Sequence, residues 1–329
     1  MGFRTMRKTL LSATVFALTA ASALAADLPS RKAPPVLPPP PPPPPTWTGF
    51  YVGLNAGGTW ANSNNQTIAV SPLGAGPFWA LPSAFIFDQG NYLAAFSTAA
   101  SAGGFNSGNN GGFIGGGQIG YNWQFYNNFV VGMEADFQGV AASSASRSVV
   151  TNVAVPGLLG PLVGDSFSGL TSVRGSLNYL GTVRGRIGWA VIPTLLVYGT
   201  GGFAYGGVTL NTLTAVSSTG PTPLSPANLF TGPGVGGVNI STVATGWTAG
   251  GGLEWMFLPN WSAKVEYLYY DLGSVSDDFT MSSVNPASLL PDPAIFGGQV
   301  RARLNGNVVR AGVNYHFNWG APAPIVAKY

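Results

Sequence analysis

Between Thr46 and Phe317 apolar and polar residues alternate over short stretches, and within each stretch the charges fall on one side only. Alternation with period two is the pattern of a β-strand whose two faces meet different media. Eight such stretches are expected, at about 49–60, 112–125, 129–141, 175–190, 195–209, 243–257, 261–272 and 305–317. Their connections alternate in length. Residues 126–128, 192–194 and 258–260 read as tight turns, whereas 61–111, 142–174, 210–242 and 273–304 read as long loops rich in Gly, Ser, Thr, Asn and Pro. Short and long connections therefore lie on opposite rims of an antiparallel sheet.

Facing follows residue by residue. Val131, Met133, Ala135 and Phe137 stand opposite Gly132, Glu134, Asp136 and Gln138, and Tyr179, Val183, Ile187 and Trp189 stand opposite Asn178, Thr182, Arg184 and Arg186. Trp247, Leu253, Trp255 and Phe257 oppose Thr248 and Glu254; Val265, Tyr267 and Tyr269 oppose Lys264 and Glu266; Val309, Val313, Tyr315 and Phe317 oppose Arg310, Asn314 and His316. A water-soluble sandwich would show the same alternation with charges outward. The aromatic residues argue for the reverse. Trp47, Phe50, Trp123, Phe125, Trp189, Trp255, Phe257, Trp261, Tyr315 and Phe317 lie beside the short turns or the ends, and Trp60, Phe137, Tyr179, Tyr205, Trp247 and Tyr269 lie toward the long loops. Strands rising about 3.3 Å per residue at about 40° tilt place these two belts roughly 20–25 Å apart, the height of an apolar bilayer band. Amphipathic rings favour the headgroup level.

The expected fold is thus all-β: an eight-stranded antiparallel transmembrane β-barrel over 46–317 with long extracellular loops, in the outer membrane of a Gram-negative cell. So narrow a barrel is filled by its own side chains. Glu134, Asp136, Arg184, Arg186, Glu254, Lys264, Glu266 and Arg310 should form an interior charge network of four acids and four bases. The function this supports is structural, with surface interaction through the loops; a small porin passing ions or small solutes through a mobile network is the alternative.

Composition narrows the remainder. Only 8% of the residues are charged and none is cysteine, which excludes disulfide staples and thiolate-ligated metals. Arg4, Arg7 and Lys8 precede an apolar stretch from Leu10 to about Ala21 and a small-x-small site at Ala23-Leu24-Ala25, so residues 1–25 read as a signal peptide cleaved between Ala25 and Ala26. The apolar run is too short for a membrane anchor helix. Without it 11 basic residues balance 11 acids, and no charge excess invites nucleic acid. Residues 26–45 carry eight consecutive prolines, Pro38 to Pro45, a stiff polyproline segment on the periplasmic side that is either a plain leader or a tether toward peptidoglycan or a periplasmic partner. Residues 318–329 form a C-terminal tail.

The Ala-Leu-Ala-Ala-Asp-Leu-Pro end of the signal, Trp47-Thr48-Gly49-Phe50-Tyr51-Val52-Gly53 and Asn314-Tyr315-His316-Phe317 resemble the outer-membrane immunogenic proteins of alphaproteobacteria, small porin-family barrels similar to the OmpA transmembrane domain. The resemblance implies an abundant surface barrel with antigenic loops and, in some members, pore or haem-binding activity. Arg310, Gly312, Tyr315 and Phe317 resemble the signal read by the barrel-assembly machinery, here followed by the tail instead of ending the chain. Lipid and lipopolysaccharide are the other implied partners.

Chemical motifs are weak. Gly115-x-Gly117-x-x-Gly120 has the letters of a dinucleotide fingerprint, but strand alternation continues through Tyr121 to Phe125 where a helix would be needed. His316, the single histidine, lacks a recognisable nucleophile motif, so neither an enzyme nor a cofactor is expected. Asp271, Asp277 and Asp278 read as a solvated acidic loop base, with divalent ions bridging lipopolysaccharide phosphates as the sharper reading; Arg301 and Arg303 stand at the loop's other end.

Overall fold

The structure is a computed structural model that describes residues 46–62, 65–75, 89–106, 111–126, 128–142, 145–155, 165–220, 232–284 and 293–317. The signal peptide with Ala25 and Ala26, the proline segment and the C-terminal tail lie outside the described residues. Among the described residues there are eleven strands and one helix: β1 (Gly49–Ala61), β2 (Asn65–Ala75), α1 (Gln89–Ala100), β3 (Ala102–Asn106), β4 (Gly112–Phe125), β5 (Phe129–Ala142), β6 (Ala145–Ala154), β7 (Ser166–Ile192), β8 (Leu195–Thr219), β9 (Gly234–Leu258), β10 (Trp261–Ser283) and β11 (Ala294–Phe317).

Eight of these close a ring in the order β1-β4-β5-β7-β8-β9-β10-β11, every neighbour antiparallel. The closing ladder runs from Phe50 opposite Phe317 to Ala61 opposite Gly306. All eight expected strands are present at the expected places, and closure leaves the ring without an edge. Val131, Met133 and Phe137 on β5, Val183 and Ile187 on β7, and Leu253 and Val265 on β9 and β10 are exposed on the outside, while the eight charges point inward.

Two facing assignments are corrected. A β-bulge interrupts the β7–β8 ladder between Leu177 and Tyr179, so Asn178 turns outward, is exposed, and donates to Thr209 Oγ1 at 3.1 Å. The bulge shifts the parity of β7, a local change that alternation counting carries no trace of. Trp47 does not join the outer aromatic belt. It is fully buried inside the short-turn end of the barrel.

The long connections are also not loops throughout. β7, with 27 residues, and β8, with 25, run well past the aromatic belt, as do β9, β10 and β11, and β2, β3 and β6 add further ladders there. The physical reason is a change of solvent. On β11 inside the membrane, Val309, Ala311 and Val313 face out and Arg310 and Asn314 face in; above it, Arg301 and Arg303 face out and Val300 and Ala302 face in. Amphipathicity reverses where lipid gives way to water, so the alternation changes phase and imitates the end of a strand. Gly273, at φ +76°, sits in the irregularity of the β10–β11 ladder between Asp271 and Ser274.

This outer section has its own apolar core, with α1 at its centre. Tyr92, Ala95, Phe96, Ala99 and Ala100 recur at helical spacing and are buried. Phe96 stacks on Phe296 with ring centroids 4.1 Å apart, and Ser101 Oγ accepts from the Val70 amide of β2 at 2.9 Å. The Tyr92 hydroxyl donates to Asp165, and burial together with that carboxylate pushes the phenol well above its usual range. Gly169 lets the helix end approach, because a Cβ there would overlap the Ala99 carbonyl. Gly169→Val should therefore unseat α1 at a cost of about 1–3 kcal/mol. Chymotrypsin would then cut at Tyr92 or Phe96 in the variant and leave the parent chain intact, and equal resistance of the two would refute this seating.

Candidate functional site

The ring brings the eight predicted charges into one continuous cluster, none more than 5% exposed. Strand alternation aims each of them at the axis, and closure of the ring lets residues of non-adjacent strands meet across the lumen. Glu134 on β5 receives Arg184 Nη2 at 2.5 Å, Lys264 Nζ at 2.9 Å to each oxygen, and the Tyr51 hydroxyl at 2.7 Å. Asp136 accepts from Arg184 at 2.9 Å, Arg310 at 2.8 Å and Thr182 at 2.9 Å. Glu266 accepts from Arg184 at 3.1 Å, from Arg310 Nε at 2.8 Å and Nη2 at 2.5 Å, and from the Tyr198 hydroxyl at 3.0 Å. Glu254 accepts from Arg186 at 2.6 Å, Ser262 at 2.6 Å and Asn314 at 2.7 Å.

Four acids and four bases leave no net charge, and each carboxylate has at least three donors. Buried charges persist only when paired and hydrogen-bonded in this way. Two tyrosines absent from the sequence-based set complete the cluster. The Tyr51 hydroxyl accepts from Arg186 at 3.0 Å while donating to Glu134, so it joins the Glu254 and Glu134 groups. The Arg186 guanidinium lies 3.9 Å above the Tyr198 ring. Both were within reach of parity: Tyr51 sits between Phe50 and Val52, and Tyr198 between Val197 and Gly199, whose side of the wall faces lipid.

Apolar layers close the cluster on both sides. Toward the short turns, Trp47, Val130, Ala190, Leu196 and Met256 pack together. The Trp47 indole donates to the Pro193 carbonyl at 3.1 Å and meets the His316 ring edge-on at 5.8 Å. Toward the cell exterior, Ile114, Leu180, Val208, Leu268, Leu272 and Val308 form a second layer, and the core around α1 lies beyond it.

His316 is buried in the short-turn end with Ser262 and Glu254. Its Nε2 is 2.9 Å from Ser262 Oγ and 3.5 Å from Glu254. The residue types are those of a hydrolase triad, but the geometry is not. A triad sets the carboxylate on Nδ1 and the hydroxyl on Nε2, whereas here both meet the same nitrogen, and Ser262 is fully buried beneath Trp47's layer. The arrangement secures a carboxylate inside the wall.

The other singled-out residues lie apart. Gly115, Gly117 and Gly120 run within β4, which continues to Phe125 as a strand. Asp271 pairs with Arg303 at 2.7 Å, while Asp277 and Asp278 are exposed. Among the described residues no three potential ligands gather around a metal position. Gly312, Tyr315 and Phe317 stand on β11 with Arg310, the last strand to join the ring.

Comparison with known proteins follows the same lines. The family model described as outer membrane protein beta-barrel domain matches residues 11–317. The 31 kDa outer-membrane immunogenic proteins of Brucella melitensis and Brucella suis are each 31% identical over 310 residues, covering 94% of this chain and 100% of theirs. Among solved structures, the outer membrane protein OprG from Pseudomonas aeruginosa aligns over 83% of this chain and 99% of its own, at 12% identity and a TM-score of 0.30.

Proposed function

Since this chain belongs to the outer membrane protein beta-barrel domain family and resides in the outer membrane, we propose that it serves there as a closed structural barrel displaying an ordered exterior section to the surroundings. The observation that carries this reading is the stacking of a neutral charge cluster, in which every acid and base has an opposite partner, between two apolar layers within one lumen. Ions crossing it would have to break several buried ion pairs and wet two greasy layers at once. Both the membrane and the barrel gain from this: the lumen is a rigid polar core, and the permeability barrier is kept.

The exterior section is the part that meets lipopolysaccharide and the medium, and the Brucella relatives are named as immunogenic. Antigenic display is the corresponding proposal for this chain. Barrel-assembly machinery is the partner that the β11 residues Arg310, Gly312, Tyr315 and Phe317 fit. The buried His316, 2.9 Å from Ser262 and 3.5 Å from Glu254, supports a structural rather than a catalytic role for the short-turn end.

Planar-bilayer recording tests the closed barrel. Reconstituted protein should show no steady conductance, and Glu134→Gln or Arg184→Gln should remain silent behind the intact apolar layers. A steady unitary current that either substitution alters would replace this reading with a small porin. Lipid or peptide turnover abolished by His316→Ala would replace it with an enzyme.

A further inference from the structure

Above the membrane the wall has a seam. The β9–β10 ladder holds as far as Asp271 opposite Trp247 and resumes only at Ser282 opposite Val235, so 236–246 of β9 and 272–281 of β10 run side by side without cross-strand pairing. Residues 232–284 are described without interruption. Through the same stretch β9 stays paired with β8, and β10 with β11 beyond the irregularity at Asp271, which fixes the side on which each residue emerges. Ile240, Thr242 and Ala244 lie on the inward side of one flank, and Val275, Asp277 and Phe279 on that of the other. Yet Thr242 and Asp277 are exposed, while Ile240, Ala244 and Phe279 are buried. An inward position that meets solvent marks an opening in the wall. Two backbone donors along it are served locally: the Gly273 amide donates to Asp271 Oδ1 and the Asp278 amide to Asp277 Oδ1, each at 2.9 Å.

Behind the opening lie two buried side-chain oxygens with no hydrogen-bond partner among the described residues, Gln66 Oε1 and Thr212 Oγ1, on residues 3% and 6% exposed. Gln66 leaves β2 and reaches toward β7 and β8. Its Nε2 comes within 3.9 Å, and Leu210 Cδ1 within 3.6 Å, of the point where Gly175 would carry a Cβ. Leu210 stands opposite Ile240 on the β9 flank of the seam, and Thr212 is the next inward residue of β8. Buried polar groups in native proteins are nearly always hydrogen-bonded. Two left open at one level of the lumen, beside an opening in the wall, call for a group that enters from outside.

Charge narrows the occupant. Asp277 has no basic partner among the described residues, in contrast to Asp271, which pairs with Arg303. A carboxylate, an amide oxygen and a hydroxyl make a set of acceptors with one negative charge, and Ile240, Val275 and Leu210 add apolar surface beside them. An anion is repelled by this set. A primary ammonium fits it, with three donors, no acceptor and a charge that the carboxylate compensates.

We propose that the seam between β9 and β10 is the mouth of a binding niche for a small protonated alkylamine, whose ammonium donates to Asp277, Gln66 Oε1 and Thr212 Oγ1 while its chain lies against Ile240 and Val275. The niche goes beyond the closed-barrel reading and does not depend on it. The apolar layer with Leu180 and Leu268 separates it from the charge cluster, so it holds its ligand without passing it on.

The test uses the full chain in lipid nanodiscs with isotope-labelled glutamine, and n-butylamine as the probe beside n-butanol and butyrate. The amine should shift the Gln66 side-chain amide resonance, identified by its loss in Gln66→Leu. The alcohol should bind about tenfold more weakly, and butyrate should have no effect. Asp277→Asn, an exposed change that leaves the packing intact, should weaken the amine about tenfold and remove its advantage over the alcohol. Four results would overturn the proposal: no shift of the Gln66 resonance by the amine, equal responses to amine and alcohol, an unchanged amine response in Asp277→Asn, or a response to calcium in place of the amine. None of them bears on conductance, so failure here would leave the closed barrel standing, and a steady current would leave the niche standing.

Discussion

Glu134→Gln should lower the unfolding free energy of the refolded barrel by about 3–5 kcal/mol, the cost of stranding buried charge. The substitution is nearly isosteric and keeps an acceptor for the Tyr51 hydroxyl, so packing changes little. What it removes is the negative charge that Lys264 meets with both carboxylate oxygens and that Arg184 meets at 2.5 Å. The interior then carries one uncompensated positive charge among buried side chains. Urea titration in lipid vesicles reads the loss directly. Adding Lys264→Met should recover much of it, since the second change removes the stranded partner and restores neutrality. A midpoint unmoved by Glu134→Gln would show that the lumen is wet and the ion pairs are solvent-screened.

Trp47→Ala should cost a comparable amount, about 3–5 kcal/mol. This residue fills the short-turn end of the lumen, donates to the Pro193 carbonyl and covers His316. Its removal leaves a cavity bounded by β-strands that cannot collapse into it, and opens a route for water toward Glu254. Trp189→Ala is the control. That ring is 46% exposed on the outer wall and packs on Phe129, so its loss costs mainly headgroup contacts. Equal midpoints for the two variants would return Trp47 to the outer belt.

The contrast between these two tryptophans shows how far alternation can be read. Trp189 and Trp47 both adjoin a short connection, and proximity to a rim is all that the sequence pattern supplies for either. Trp189 lies within β7, where parity assigns it to the lipid side; Trp47 precedes β1, where no parity applies. Its entry into the lumen depends on Gln124, which accepts its amide at 2.8 Å, and on the Pro193 carbonyl, both brought near by ring closure. Asn178 departs from the pattern for the complementary reason, a bulge inside β7 between Leu177 and Tyr179.

The interior cluster divides in the same way. That Glu134, Asp136, Arg184, Arg186, Glu254, Lys264, Glu266 and Arg310 face the axis is visible in the chain, as is their neutrality. Which acid meets which base is not. Glu134 and Lys264 stand on strands separated by three others in the ring and meet only across the lumen. The exterior section was hidden for a different cause: its strands keep period two but exchange their apolar side at the membrane boundary, so Val300 and Ala302 sit in the opposite phase to Val309 and Ala311.

Strand number, antiparallel order, the medium on each side and the direction of every interior charge within an uninterrupted strand were legible from residue order, because the side of a strand on which a residue emerges is a property of its neighbours in the chain. The salt-bridge partners, the plug formed by Trp47 and the helix seated above the lumen required the assembled molecule. Each depends on ring closure, on a bulge, or on the level at which lipid ends, and those conditions arise only when segments far apart in sequence lie side by side.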